Sequence, residues 1–130
     1  MSRIIATGAY LPEKAVSNTE LIEVNQLDSS TEWIEQRTGI KQRFFANDEE
    51  TVASIATNAV DDLLSKLDED IRQDIKLIIV ATMSQREYTP STANKVQLNL
   101  NCHNAISFDI NAACSGFVYA LDVAEKMSKS

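Results

Sequence analysis

The sequence predicts an α/β fold built on a mostly parallel sheet, and three observations carry that prediction. Between Val52 and Leu67 the apolar residues Val52, Ile55, Ala56, Ala59, Val60, Leu63, Leu64 and Leu67 recur at steps of three and one, the period of a helix face. Leu77-Ile78-Ile79-Val80-Ala81 is a continuous β-rich run without polar alternation, which suits a central parallel strand covered on both faces. Beyond it helix and strand patterns alternate, and a parallel return between strands requires a crossover helix. A chain of 130 residues is the size of one domain, so a single domain over 1–130 is expected.

The remaining elements follow in order. Ile4 to Tyr10 is β-leaning and stops at Leu11-Pro12, where proline removes a ladder donor. A first helix follows Asn18 as its N-cap, with Glu20 and Glu23 near its positive end. A second opens at Ser29-Ser30-Thr31-Glu32, in which Ser29 and Glu32 have capping-box spacing, and ends at Gly39. Asp61, Asp62, Ser65 and Lys66 fill the solvent side of the long helix from Val52. Pro90-Ser91 precede a helix with Ala93, Val96 and Leu100 on one side, and Ala105 to Ile110 reads as a strand. The mostly apolar stretch from Phe117 to Met127 is expected to be a buried helix. No further strand receives that helix, so a partner or a longer chain is expected to cover the sheet.

Composition excludes several classes of function. With 44% apolar and 24% charged residues, and no apolar run near the roughly 20 residues that cross a bilayer, the chain is neither membrane-spanning nor disordered. Twelve basic residues against 19 acidic give a net charge of -7, which disfavours nucleic acid and anionic lipid as partners. The opening residues 1–8 lack a secretory pattern and only two cysteines are present, so a cytoplasmic location with reduced thiols is expected. Cys102, His103 and Cys114 do not have zinc-ligand spacing, so no metal is expected. The six-residue strand that follows His103 spans about 20 Å and separates it from Cys114, so His103 is expected to be solvated and inert.

Cys114 is the candidate for chemistry. It falls at a strand-to-helix junction beside Gly116, where free backbone N–H groups and the helix dipole favour thiolate over thiol. An ordinary cysteine near pKa ~8.5 is about 3% ionised at pH 7, and one lowered to ~7 is about half ionised. The same amides can help hold the oxyanion of a tetrahedral thioester adduct. Spacing alone leaves open a second reading, in which the residue is a small buried hydrophobe.

The context of this cysteine is more specific than its spacing. The segment Asp109-Ile110-Asn111-Ala112-Ala113-Cys114-Ser115-Gly116-Phe117-Val118-Tyr119-Ala120-Leu121 closely resembles the nucleophile segment of β-ketoacyl-acyl-carrier-protein synthase III. These are the initiating condensing enzymes of type II fatty-acid synthesis, with a thiolase-like fold. Gly8-Ala9-Tyr10-Leu11-Pro12, Glu32-Trp33-Ile34, Arg37-Thr38-Gly39-Ile40, Leu77 to Thr82 and Thr89-Pro90-Ser91-Thr92-Ala93 agree in the same order, so the resemblance covers essentially the whole chain. It implies that Cys114 takes an acyl group from acyl-CoA, commonly acetyl-CoA. Malonyl-acyl carrier protein is then decarboxylated and its carbanion attacks the held acyl group. No cofactor is implied, acyl-CoA being a substrate, and the family works as a homodimer with a basic docking patch for the carrier protein.

Trp33 and Arg37 are four residues apart on one helix face, where an indole and a guanidinium can sandwich a flat base. Both match family residues at the adenine end of CoA, and Ser29 lies near a position where the family often has threonine. The plainer readings are an intrahelical cation–π pair worth about 0.5 kcal/mol and a helix cap. Thr89 falls where many relatives carry a phenylalanine that lines the partner subunit's acyl pocket, so the resemblance leaves the primer preference open.

Family members are longer, and their catalytic histidine and asparagine lie in a second half. No residue of this sequence matches either one. The resemblance therefore implies an incomplete N-terminal half of a thiolase-like fold, inactive in condensation as a 130-residue chain. Two other readings are a non-catalytic homologue acting as an assembly module, and a thiol-redox or acyl-binding protein using Cys114 alone.

Overall fold

The computed structural model describes residues 2–129. They form two compact units, one spanning Leu11–Thr51 and the other joining the segment up to Tyr10 with the chain from Val52 onward.

The smaller unit contains β1 (Lys14–Ser17), α1 (Asn18–Asn25), α2 (Thr31–Thr38) and β2 (Gln42–Phe45). β1 and β2 pair antiparallel, with Lys14 opposite Phe45 and Ser17 opposite Gln42. The sequence reading missed this ribbon, because each strand has only four residues and Val16 alone of the eight is buried. The N-cap of α1 is Ser17, whose hydroxyl accepts the Glu20 N–H at 3.1 Å, and not Asn18 as expected. Asn18 is the first helical residue and is buried for another reason. Its side chain donates to the Ile40 carbonyl at 2.8 Å and accepts from Arg43 at 3.1 Å, which ties α1 to β2 and the turn before it.

The cap of α2 is likewise shifted by one. Ser30, not Ser29, accepts the Trp33 N–H at 3.2 Å. Ser29 Oγ is enclosed and has no hydrogen-bond partner. Gly39 closes α2 as expected, with φ of 70°, a left-handed conformation in which glycine carries no Cβ penalty.

In the larger unit α3 (Val52–Leu64) is followed by a 3-10 turn at Arg72–Asp74, β3 (Leu77–Ala81), α4 (Thr92–Asn99), β4 (Ile106–Ile110), a second 3-10 turn at Ala113–Ser115 and α5 (Gly116–Met127). β3 and β4 pair in parallel, Leu77 opposite Ile106 through to Ala81 opposite Ile110, with α4 as the crossover. The α/β class and the parallel pairing are as expected. α3 is shorter than its apolar period, because residues 65–67 turn back with Lys66 and Leu67 N–H donating to Leu63 and Leu64.

The core lies where α3 and α4 meet one face of β3. Ala53, Val96, Leu100 and Cys102 are buried there, and Ile78 and Val80 pack against them. Alternation along the strand turns Ala81 to the opposite face, against Gly116 of α5. Both faces of β3 thus meet helices, yet all its residues stay partly or fully exposed, so the expected central strand is only half covered. The expected burial of α5 is not observed. Phe117, Val118 and Tyr119 are 67%, 64% and 56% exposed, and Gly116 is the buried residue of that helix. Apolar composition identified the helix, but what buries an apolar face is a neighbouring layer, and α5 packs mainly against the sheet and the turn before it.

Residues 4–10 form no strand among the described residues, contrary to expectation. Asp62 of α3 and Lys66 in the turn after it satisfy this segment instead. The Ala9 N–H donates to Asp62 Oδ2 at 2.8 Å, and Lys66 Nζ donates to the Thr7 carbonyl at 3.1 Å and to Asp62 at 2.7 Å. The Lys66 ammonium and the Ala9 amide hold the Asp62 carboxyl below its ordinary range. Gly8 sits so close to the helix that a Cβ would lie 2.1 Å from the Ala59 carbonyl oxygen and 2.6 Å from Leu63 N.

Two outcomes are expected. Ser30→Ala lowers stability by about 1 kcal/mol through loss of the cap, whereas Ser29→Ala is neutral or stabilising because it removes an unpaired enclosed hydroxyl; denaturant midpoints of the two variants check this order. Gly8→Ala cannot keep its segment seated on α3 without backbone movement, and is expected to abolish slow exchange of the Ala9 amide; protection equal to the parent's would refute the close approach.

Candidate active site

Cys114 is delivered by the end of the parallel strand pair. The Thr82 N–H donates to the Ile110 carbonyl at 3.1 Å, continuing the pairing one residue past β3. From Ile110 the chain runs through Asn111 and Ala112 into the 3-10 turn that carries Cys114, and α5 begins two residues later. Ala113 has φ of 44°, the left-handed region that costs a residue with a Cβ of order 1 kcal/mol or more. Such a residue immediately before the thiol is a constrained elbow, a feature that sequence patterning did not reveal.

The thiol is exposed, against the reading in which it is a buried hydrophobe. No side chain caps the start of α5. The Ser115 and Gly116 N–H groups donate to the Ala112 and Ala113 carbonyls, so what this end offers a developing anion beside Cys114 is the helix dipole. Cys114 also borders an open, mostly apolar concavity of about 1160 Å³, with Ile79, Ala81, Ala113, Phe117 and Leu121 among its walls. Gly116 permits this arrangement, since a Cβ there would come within 3.2 Å of Ala81 Cβ.

The second cysteine has the opposite character. Cys102 is completely buried, its Sγ facing the Leu100 carbonyl at 3.8 Å, and burial pushes its thiol pKa up. The raised pKa means that Cys102 contributes no destabilisation below the ordinary thiol range and opposes folding as pH rises above it. His103 is exposed beside it, as expected. Among the described residues no group of three His, Cys, Asp or Glu side chains could hold a metal ion, and no described helix is long and apolar enough to cross a membrane.

The other predicted residues fall as follows. On α2 the Arg37 guanidinium stands over the Trp33 ring with Cζ 5.8 Å from the centroid, and Trp33 is 56% exposed, so the predicted pair forms on the surface of the smaller unit. Ser29 precedes the cap of the same helix with its hydroxyl enclosed. Thr89 is exposed in the loop 82–91 between β3 and α4. Asp109 is the residue whose contacts sequence reasoning missed. Its carboxylate accepts the Thr92 N–H at 2.8 Å and the Ala93 N–H at 2.7 Å, joining β4 to the start of α4.

An α/β unit that crosses over between parallel strands and presents an exposed cysteine on an elbow before a helix defines a thiolase-like fold with a thiol site. A crystal structure of 3-oxoacyl-[acyl-carrier-protein] synthase III from Aquifex aeolicus matches it with a TM-score of 0.87 and 44% identity, over 97% of this chain and 40% of that one. The corresponding enzyme of Thermus thermophilus matches with a TM-score of 0.86 and 37% identity. In sequence, residues 108–130 match the family described as 3-oxoacyl-[acyl-carrier-protein (ACP)] synthase III. A beta-ketoacyl-[acyl-carrier-protein] synthase III of Wolbachia pipientis is 46% identical over 129 residues, and one from Lactobacillus delbrueckii is 48% identical over 126. The chain spans about 40% of the length of these relatives. Over that span the chain is similar in sequence and fold to these 3-oxoacyl-[acyl-carrier-protein] synthase III enzymes.

Exposure separates the two thiols. Iodoacetamide is expected to label Cys114 in the native chain and to reach Cys102 only on unfolding, as read by peptide mass mapping with and without denaturant. Equal labelling of both under native conditions would contradict the core described above.

Proposed function

We propose that Cys114 is the acyl-accepting nucleophile of a condensing enzyme. The observation that carries this reading is an exposed thiol on a constrained elbow, at the start of α5 and at the rim of an apolar concavity. The thiolate attacks the carbonyl carbon of an acyl-CoA, the helix dipole favours the oxyanion, and collapse of the adduct breaks the bond to CoA sulfur. CoA leaves as thiolate and takes up a proton. The acyl group stays on Cys114 as a thioester, awaiting the carbanion produced when malonyl-acyl carrier protein loses carbon dioxide.

That second half-reaction is a proposal for the whole enzyme, as are the homodimer, the carrier-protein contact and the cytoplasmic location. Within this chain no residue matches the family's histidine and asparagine, so the activity proposed for residues 1–130 alone is acyl acceptance without condensation. Contact between the Trp33–Arg37 pair and the adenine end of CoA is supported by their spacing and exposure on α2. A CoA contact for Ser29 has weaker support, because its hydroxyl is enclosed.

Incubation with acetyl-CoA is expected to give one acetyl adduct by intact mass, lost in Cys114→Ala and retained in Cys102→Ala. No adduct on the folded parent chain would sink the acyl-acceptor reading and leave the assembly-module reading. Oxidation of Cys114 to a sulfenic acid or mixed disulfide in place of acylation would support a redox role.

A further inference from the structure

The concavity beside Cys114 is a trough with a direction and two unlike ends. α5 starts where the strands finish, with Gly116 against Ala81, and packs back along β3. Alternation turns Leu77, Ile79 and Ala81 toward the helix, and all three line the trough. From α5 the wall is Phe117, Ala120, Leu121 and Ala124, at steps of three, one and three, which is one face of the helix. At the elbow end the lining is Cys114 and Phe117. At the far end it turns polar, with Lys76, Glu125 and Ser128, and there Ser128 Oγ lies 3.3 Å from Ser2 Oγ, so that Ser2 borders that end as well.

Length and anchorage decide what such a trough holds. Four strand steps of about 3.3 Å separate Ala81 from Leu77, and seven helical steps of about 1.5 Å separate Phe117 from Ala124, so the apolar wall runs for roughly 10 to 13 Å. An extended saturated chain with C–C bonds of about 1.5 Å advances about 1.3 Å per carbon, so the wall matches about eight to ten carbons. An acetyl group on the thiol would reach only the mouth. A chain held by a thioester at Cys114 starts at that mouth and needs no separate association step, an advantage that a free apolar ligand or an extended peptide does not have. Along β3 and α5 the side chains between the two ends are apolar, so the chain meets no charge there until Lys76 and Glu125 stop it.

We propose that the trough is an acyl-chain subsite, so that Cys114 takes medium-chain acyl groups of about eight to ten carbons in preference to acetyl, with Phe117 and Leu121 as the residues that set the preference. The thiolate displaces CoA thiolate from octanoyl-CoA as it does from acetyl-CoA, and the longer chain stays on sulfur with its tail along α5. Removing one methylene from water favours an equilibrium about fourfold, or about twofold where an open trough covers half of it, so the six further methylenes of octanoyl are worth roughly fiftyfold. The inference rests on the acyl-acceptor reading and names its substrate class. An alkyl chain placed on the thiol without CoA lets the two fail separately.

The full chain is incubated with acetyl-CoA or octanoyl-CoA, and acylation of Cys114 is followed by intact mass. Octanoyl transfer is expected to be faster by at least about tenfold. In parallel, methyl or octyl methanethiosulfonate converts the thiol to a mixed disulfide, methanesulfinate leaving and the alkyl–sulfur group remaining on Cys114. The octyl-modified chain is expected to melt at least about 4 °C above the methyl-modified one. Leu121→Ser, at an exposed wall position, is expected to lower both the rate ratio and the melting difference by about half or more. If Leu121→Ser does not fold, Phe117→Ser is read by the same criteria. Equal melting of the two modified chains, or an octyl effect that persists in full in the variant, overturns the subsite. Equal acylation rates overturn the chain-length preference and leave Cys114 as an acyl acceptor. An octyl-dependent rise in melting with no adduct from either CoA ester removes the acyl-acceptor reading, and the substrate class with it, and leaves an apolar site at the thiol.

Discussion

The parallel pairing of β3 with β4 is the constraint on which the larger unit depends. It brings Leu77 beside Ile106 and Ala81 beside Ile110, so the two strands finish together at one end. A parallel pair cannot be closed by a tight turn, and α4 is the connection that returns the chain. Every other placement follows from this. α3 and α4 cover the face carrying Ile78 and Val80, α5 reaches the face carrying Ala81, and Cys114 emerges where β4 ends. In open α/β sheets functional groups gather beyond the carboxyl ends of the strands, because the loops and helix starts that can hold a ligand converge there.

What could be read from the sequence was whatever local chemistry decides alone. β3 was legible to the residue because five consecutive β-rich side chains between polar neighbours leave little competition. α4 was legible because Ser91 is a strong cap and Ala93, Val96 and Leu100 share a face, and all three are buried. Gly39 was legible as a helix end because the chain needs a left-handed residue there. The misses have a common cause. Whether Ser29 or Ser30 caps α2, and whether Ser17 or Asn18 caps α1, depends on which hydroxyl meets an N–H once the preceding chain is oriented, and adjacent cap formers look alike in sequence. The strand expected at residues 4–10 and the burial expected for α5 were statements about neighbours, which periodicity cannot supply. Of the site, Cys114 was legible through its motif. The left-handed Ala113 and the two bonds to Asp109 were not, because neither residue type announces that conformation or that partner.

The charge pattern reads differently in three dimensions than in sum. Lys66, Arg72, Lys95, Lys126 and Lys129 are each engaged by a carboxylate. Arg72 is held by both Asp61 and Asp70, which favour its charged form, and Lys95 holds the Glu87 carboxyl below its ordinary range. Exposed pairs of this kind contribute little to stability, since water and salt screen them. Their consequence is electrostatic. Each cation is neutralised where it stands, so the net charge of -7 is not offset by a positive stripe built from these residues. Lys95 has a local part as well, because its partner Glu87 lies in the loop 82–91 that Asp109 anchors.

The elbow at Cys114 combines a cost with two restraints, and the balance explains why so exposed a residue is placed so closely. A left-handed Ala113 would relax if the chain on either side could rotate, since nothing intrinsic to alanine favours φ of 44°. On one side β4 is fixed by its ladder to β3 and by the carboxylate bonds of Asp109. On the other, Gly116 is the buried start of α5, where a Cβ would press to within 3.2 Å of Ala81 Cβ. Strain persists only where the surroundings over-determine a conformation, and here a strand and a helix start do so from both directions. The thiol between them needs no packing of its own to be held in position, and is therefore free to be exposed at the rim of the concavity.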